Sequence, residues 1–131
     1  MNHFLRAGVE GICFALNHIL KILETASGTI TQLNVSGGFL NSATWIKILA
    51  DITGKKICLS ETKDASSIGA ALMAMKATKM IDSYSGLATR NEVGIPPDEK
   101  THVVYEKYFR VYKKIYDPLK DSMHEVRNIT F

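Results

Sequence analysis

Residues 33–45 of the chain read LNVSGGFLNSATW, in which an apolar run gives way to two glycines and then to a helical pattern. The residues before it, 29–35, are rich in β-branched side chains and predict a short strand. The apolar run ends at Ser36, Gly37 and Gly38, and a helical pattern follows. Glycines let a ligand approach the backbone, and a helix start offers unpaired N–H groups to an anion. The pattern therefore indicates either a nucleotide-binding turn or a plain tight turn, and both interpretations stay open here.

The flanking sequence predicts alternating helices and strands. Helical apolar spacing extends over 42–53 and again over 64–80, and KKICLS at 55–60 predicts a second strand. Upstream, residues 3–25 predict a long amphipathic helix. Its apolar stripe, expected to face the core, consists of Leu5, Val9, Ile12, Leu16, Ile19 and Leu23.

The C-terminal part predicts a long connection over 82–101, because it is rich in Gly, Ser, Pro and charge and has little periodicity. A last helix is predicted over 102–128, in which Pro118 marks either a kink or the start of a second segment. Its apolar stripe, also expected to be core, consists of Tyr105, Phe109, Tyr112, Tyr116, Leu119, Met123 and Val126.

This order predicts an α/β fold whose parallel strands are joined by right-handed crossovers. Because two parallel strands do not form a stable sheet alone, we expect 1–131 to be a single partial domain. A strand that pairs with 29–35 would lie outside it. The bare edge of 29–35 and the helix 3–25 beside it predict a homo-oligomer.

Composition narrows the function. Hydrophobic residues make up 46% and charged residues 22%, with a net charge of +3, so we expect no nucleic-acid partner. No run is long and apolar enough for a membrane span, and no signal peptide opens the sequence. Cys13 and Cys58 lie in apolar runs and predict buried, reduced thiols in a cytoplasmic protein. The histidines lack metal-ligand spacing, and Asp51 and Glu61 are interpreted as solvated single carboxylates.

Three segments occur together in an order and spacing that resemble the C-terminal domain of the FGGY carbohydrate kinases. They are HFLRAGVEGICFAL at 3–16, NVSGGFLNSATWIKILADITGKKICLSETKDASSIGAALMAMKA at 34–77 and IPPDEKTHVVYEKYFRVYKKIY at 95–116. The resemblance implies a partial actin-like, ribonuclease-H-like fold. Within the family the chain looks most like gluconate kinase. Xylulose kinases are the near alternative, and they usually carry a third small residue where Phe39 stands.

The resemblance also implies a function and its residues. The parent reaction would be ATP-dependent phosphorylation of a sugar-acid hydroxyl, with ATP and Mg²⁺ required in the complete enzyme. The nucleotide-binding positions would be Ser36, Gly37, Gly38, Asn41 and Ser42, with Ser42 standing where some members place an adenine-contacting Asn. The family's general base belongs to an N-terminal domain outside these residues, so no catalytic residue is expected here and the chain alone should be inactive. The alternative is a non-catalytic binding or oligomerisation module.

Overall fold

The computed structural model describes residues 2–60, 64–85, 87 and 91–129. Every helix and strand predicted from the sequence is present, with boundaries shifted by a few residues. The elements in chain order are α1 (Asn2–Ser27), β1 (Gln32–Val35), a 3₁₀-helical turn (Gly37–Asn41), α2 (Ala43–Thr53), β2 (Lys56–Ser60), α3 (Ala65–Ala77), β3 (Asn91–Ile95) and α4 (Glu99–Asn128).

The described sheet has the order β1-β2-β3, with β1 parallel to β2 as expected and β3 antiparallel to β2. β3 lies inside 82–101, so interpreting that whole segment as a connection is wrong. The cause is local. The strand NEVGI is short and contains Gly94, which pairs with Cys58, and a side chain there would clash with Lys56. Glycine inside a strand weakens the sequence signal because it is normally depleted there.

The core forms around α2, which lies against α1, α4 and the sheet. Its buried apolar residues are Ile46, Ile48, Leu49, Ala50 and Ile52. The neighbouring elements add Cys13, Phe14, Ile57, Tyr105 and Phe109 to the same cluster. α3 contributes no fully buried residue. Both cysteines are free and buried, as predicted.

The predicted inward stripe of α1 is wrong. Leu5, Ile12, Ile19 and Leu23 are 48–62% exposed, whereas the face buried in this chain carries Cys13, Phe14, Asn17 and Leu20. The helix is apolar on two faces, and periodicity alone does not show which one the rest of the chain covers. α1 therefore presents a second apolar face to the outside.

α4 follows the prediction over its first half only. Tyr105 and Phe109 are buried, but Tyr116, Leu119, Met123 and Val126 are exposed. The helix starts at Glu99, three residues before the predicted 102, and continues through Pro118, so no second segment begins there. Within the described residues, no helix is both long and apolar enough to cross a bilayer.

Asp51 is not the solvated carboxylate that the sequence suggested; Glu61 lies outside the described residues. Asp51 is 5% exposed, and its Oδ1 accepts hydrogen bonds from the Asp98 backbone N–H at 2.7 Å and from Lys47 Nζ at 2.8 Å. His102 Nδ1 lies 2.8 Å from the Asp51 carbonyl oxygen. Asp51 thus connects α2 to the start of α4, which explains why burial of the carboxylate is tolerated.

Candidate functional site

The candidate site begins where β1 ends and the chain turns into α2. Gly37 has φ +78°, in the left-handed region that favours glycine. Gly38 has no such constraint, yet it is exposed and a Cβ built on it would meet no atom within 4 Å. The local fold therefore requires glycine at position 37. At position 38 the bare backbone faces open space, which is the arrangement that a closely approaching ligand needs.

Ser42 starts α2. Its Oγ accepts a hydrogen bond from the Trp45 backbone N–H at 3.3 Å, and its carbonyl oxygen accepts from the Ile46 N–H at 3.1 Å. This is an N-cap, a position at which serine and asparagine serve about equally well. A serine hydroxyl that accepts from the backbone still carries one proton to donate. The N-terminus of the eleven-residue α2 also supplies partial positive charge next to Gly38.

A cavity of about 310 Å³ lies between the first half of α1 and the start of α2. Its walls are mostly apolar, with a few polar groups at the edge. The lining residues are Leu5, Arg6, Val9, Ser42, Thr44, Trp45 and Ile48. A mostly apolar cavity with a few directed polar groups is typical of a small-molecule site.

A second cavity of about 360 Å³ lies on the other side of the turn. Ser36 lines it together with β1 and the exposed face of α1. Ser36 and Ser42 therefore line different cavities, and the linings of these two cavities do not include Gly37, Gly38 or Asn41. The five predicted residues are brought together by one turn, but they do not surround one hollow.

Sequence reasoning missed the contribution of α1 to the first cavity. Arg6 Nε donates to Glu10 Oε1 at 2.8 Å, and Arg6 Nη2 donates to Tyr105 Oη at 3.1 Å. Tyr105 Oη in turn donates to Glu10 Oε1 at 2.7 Å. Burial first, and then Glu10, raise the pKa of Tyr105, so the phenol stays neutral near pH 7. Arg6 is thus held in place at the cavity edge by residues that no local spacing connects to the glycine turn.

Cys13 lies in the core and contacts the side chain of Trp45, which lines the cavity. Burial raises the pKa of its thiol to about 11, which keeps it protonated and unreactive near pH 7. Trp45 is the only tryptophan of the chain, so its fluorescence reports on this cavity alone. Among the described residues, no three His, Cys, Asp or Glu side chains are grouped closely enough to hold a metal ion.

Comparison with known proteins identifies the family to which the chain belongs. Residues 1–78 match the family model for the C-terminal domain of the FGGY family of carbohydrate kinases. The chain is 29% identical over 130 residues to a xylulose kinase of Staphylococcus epidermidis, covering 97% of the chain and 26% of that protein. It is 30% identical over 87 residues to a gluconokinase of Bacillus subtilis, covering 66% of the chain and 17% of that protein.

Solved structures show the same likeness. The crystal structure of a ligand-bound xylulose kinase from Lactobacillus acidophilus superimposes with a TM-score of 0.78 at 25% identity. The superposition covers 92% of this chain and 25% of that one. The fold is therefore that of the actin-like domain of these kinases, as the resemblance implied. The chain spans about a quarter of the length of the first relatives it matches.

Proposed function

Because the chain belongs to the FGGY family of carbohydrate kinases, as a C-terminal domain, we propose that it supplies the adenosine side of an ATP site. The observation that carries the proposal is the open backbone at Gly38, next to the α2 N-terminus and the 310 Å³ cavity. The reaction served would be phosphoryl transfer from ATP to a hydroxyl of a sugar or sugar acid.

In this proposal the adenine ring enters the cavity between α1 and the start of α2. The apolar walls, with Val9 and Trp45 on opposite sides, suit a flat ring. The Ser42 hydroxyl donates to a ring nitrogen while it keeps its N-cap bond. The ribose and α-phosphate pass over Gly38, where no Cβ obstructs them, and the α2 N-terminus favours the negative charge of the phosphate. Asn41 and Ser36, at the two ends of the turn, are the polar groups that remain for the ribose.

The described residues do not complete a phosphoryl-transfer site. Transfer requires positioning, neutralisation of phosphate charge and a base for the attacking hydroxyl. The absence of a metal-binding group among the described side chains means that they do not fit a resident Mg²⁺. We therefore assign the Mg²⁺ ligands and the general base to the part of the kinase that corresponds to the remaining three quarters of its relatives.

For the sugar, we propose gluconate, with xylulose as the second candidate. The 30% identity to a gluconokinase supports the first, and the 29% identity over 97% of the chain to a xylulose kinase supports the second. We expect the chain to restore more turnover when mixed with the remaining portion of the gluconokinase than with that of the xylulose kinase. Faster turnover with the xylulose kinase portion, at equal concentrations, would reverse the assignment.

Substitution of Gly38 tests the nucleotide site. Gly38→Val should weaken ADP binding at least tenfold, because the side chain occupies the space through which the nucleotide reaches the backbone. The fold should persist, since no atom lies within 4 Å of the added Cβ. Binding is measured by the change in Trp45 fluorescence. Gly69→Val is the matched control, because Gly69 in α3 also faces open space but lies outside the turn. Equal affinity of both variants for ADP would rule out contact with Gly38.

The exposed α1 face and the edge of β1 support a second role, an assembly surface. β1 pairs only with β2 in the described sheet, and the 360 Å³ apolar cavity runs beside it. We expect the chain to form a homodimer through this surface, seen as a doubled mass by light scattering that declines on dilution. A monomer at every concentration, with slow amide exchange at Leu33 and Val35, would mean that the chain covers this edge itself.

Reduced, buried cysteines support a cytoplasmic location.

A further inference from the structure

Arg6 carries the one charge among the described residues that line the cavity between α1 and α2. Its hydrogen bonds to Glu10 and Tyr105 fix the guanidinium at the edge of this cavity. The Arg6 side chain is 57% exposed, and ion pairs of such exposed groups contribute little to the stability of a fold. The contacts therefore matter mainly for the place in which they hold the guanidinium.

The partners of Arg6 hold it from the side away from the proposed nucleotide. Arg6 also lines a further cavity, of about 360 Å³, between α1 and α4. Glu10 and Tyr105 line that cavity and are absent from the lining of the one beside α2. A guanidinium has only N–H donors and no acceptor. Those that Glu10 and Tyr105 do not use can donate into the nucleotide cavity.

The other polar side chains of this cavity do not distinguish one purine from another. Ser42 and Thr44 carry hydroxyls, which can either donate or accept a hydrogen bond and so suit any base. The Trp45 indole forms its hydrogen bond with Cys13 in the core. Arg6, which can only donate, therefore sets the hydrogen-bond preference of the described lining.

Adenine and the 6-oxopurines present different edges to such a donor. At the edge that carries N7 and position 6, adenine has one acceptor beside the N6 amino donor, whereas guanine and hypoxanthine have the acceptors N7 and O6. Arginine pairs with both of these acceptors at once, while adenine is matched at this edge by the amide of Asn or Gln. Asn41, the amide of the turn, is not part of the described lining. The cavity thus matches a 6-oxopurine at least as well as adenine.

We propose that Arg6 determines the base specificity of the nucleotide site, and that the site binds guanosine and inosine phosphates at least as tightly as adenosine phosphates. The inference rests on the proposed function and deepens it by naming the class of base. The base would enter with N7 and O6 toward Arg6, while the ribose and α-phosphate keep their course over Gly38. The phosphoryl donor then widens from ATP to purine nucleoside triphosphates.

The test compares ADP, IDP and GDP on the full chain, by titration followed through the Gly38 amide and Trp45 indole signals in nuclear magnetic resonance spectra. IDP has the same ribose and phosphates as ADP and differs only in the base. We expect a Kd for IDP, and also for GDP, equal to or lower than that for ADP.

Arg6→Gln tests the assignment to this residue. It replaces a donor with an amide that both donates and accepts, so the ratio of the two Kd values should shift toward ADP by about fivefold or more, the lower end of what a bidentate pair discriminates. Loss of general attraction to phosphate cancels in this ratio, because ADP and IDP carry the same phosphate charge. Tyr105→Phe keeps the buried ring but removes the hydroxyl that accepts from Arg6, and should shift the ratio less, in the same direction.

Arg110→Gln is the matched control. It removes the same charge from an exposed position of α4 that lines neither cavity, so the ratio should stay as in the unaltered chain. Thermal melting by circular dichroism shows that each variant folds.

Tighter binding of ADP than of IDP by the unaltered chain would overturn the inference and leave the nucleotide site standing. The same holds for a ratio that neither Arg6→Gln nor Tyr105→Phe changes, since Arg6 would then only connect α1 to α4. Absence of signal shifts with all three nucleotides would remove the proposed nucleotide site and this inference together.

Discussion

Phe109→Ala should lower the free energy of unfolding by about 3–5 kcal/mol, because it removes a large buried aromatic side chain and leaves a cavity in the core. Phe109 is 3% exposed, and its ring lies 6.1 Å from that of Phe14 and 6.2 Å from that of Tyr112. It therefore connects α4 to α1 inside the core. A domain of this size has a total stability of only about 5–15 kcal/mol, so urea unfolding should show a much lower midpoint.

The matched control is Tyr108→Ala, which removes an aromatic ring from the preceding residue of the same helix. Tyr108 is 60% exposed, so the change should stay within about 0.5 kcal/mol. Similar midpoints for the two variants would show that α4 does not pack on α1 through Phe109.

The second large effect concerns catalysis. We expect the 131 residues alone to show no sugar kinase activity in a coupled ADP-release assay with gluconate, xylulose or glycerol. The reason is that the described residues supply no metal-binding group, and the family resemblance places the general base in an N-terminal domain outside these residues. A complete related kinase, assayed at the same concentration, shows that the assay works. Turnover that persists through repeated purification would mean that the chain carries a full active site.

The centre of the fold was predictable because its signals are local. The regular apolar spacing of α2 acts within a few residues, and the structure has this helix at Ala43–Thr53, within one residue of the predicted 42–53. β3 was not predictable, because Gly94 interrupts a short strand whose stability comes from pairing with β2. The strand is fixed by a tertiary contact and not by its own propensity.

The same distinction holds for the candidate site. The glycine turn is visible in the sequence because β1, Gly37 and α2 follow one another directly. The cavity is not visible in the sequence, since Arg6 and Trp45 approach each other only after α1 has packed on α2. The prediction of the buried face of α1 failed for a related reason. The helix has two apolar faces, and only packing shows which of them this chain covers.

The proposed function depends on nucleotide binding by the turn from Ser36 to Ser42. The most direct test is to follow backbone amide and Trp45 indole signals by nuclear magnetic resonance while ADP is added to the full chain. We expect weak, saturable binding. Its signal shifts should cluster on Ser36, Gly37, Gly38, Asn41 and Ser42 and on the Trp45 indole N–H. Shifts confined to α4, with Gly37 and Gly38 unchanged at saturation, would contradict it.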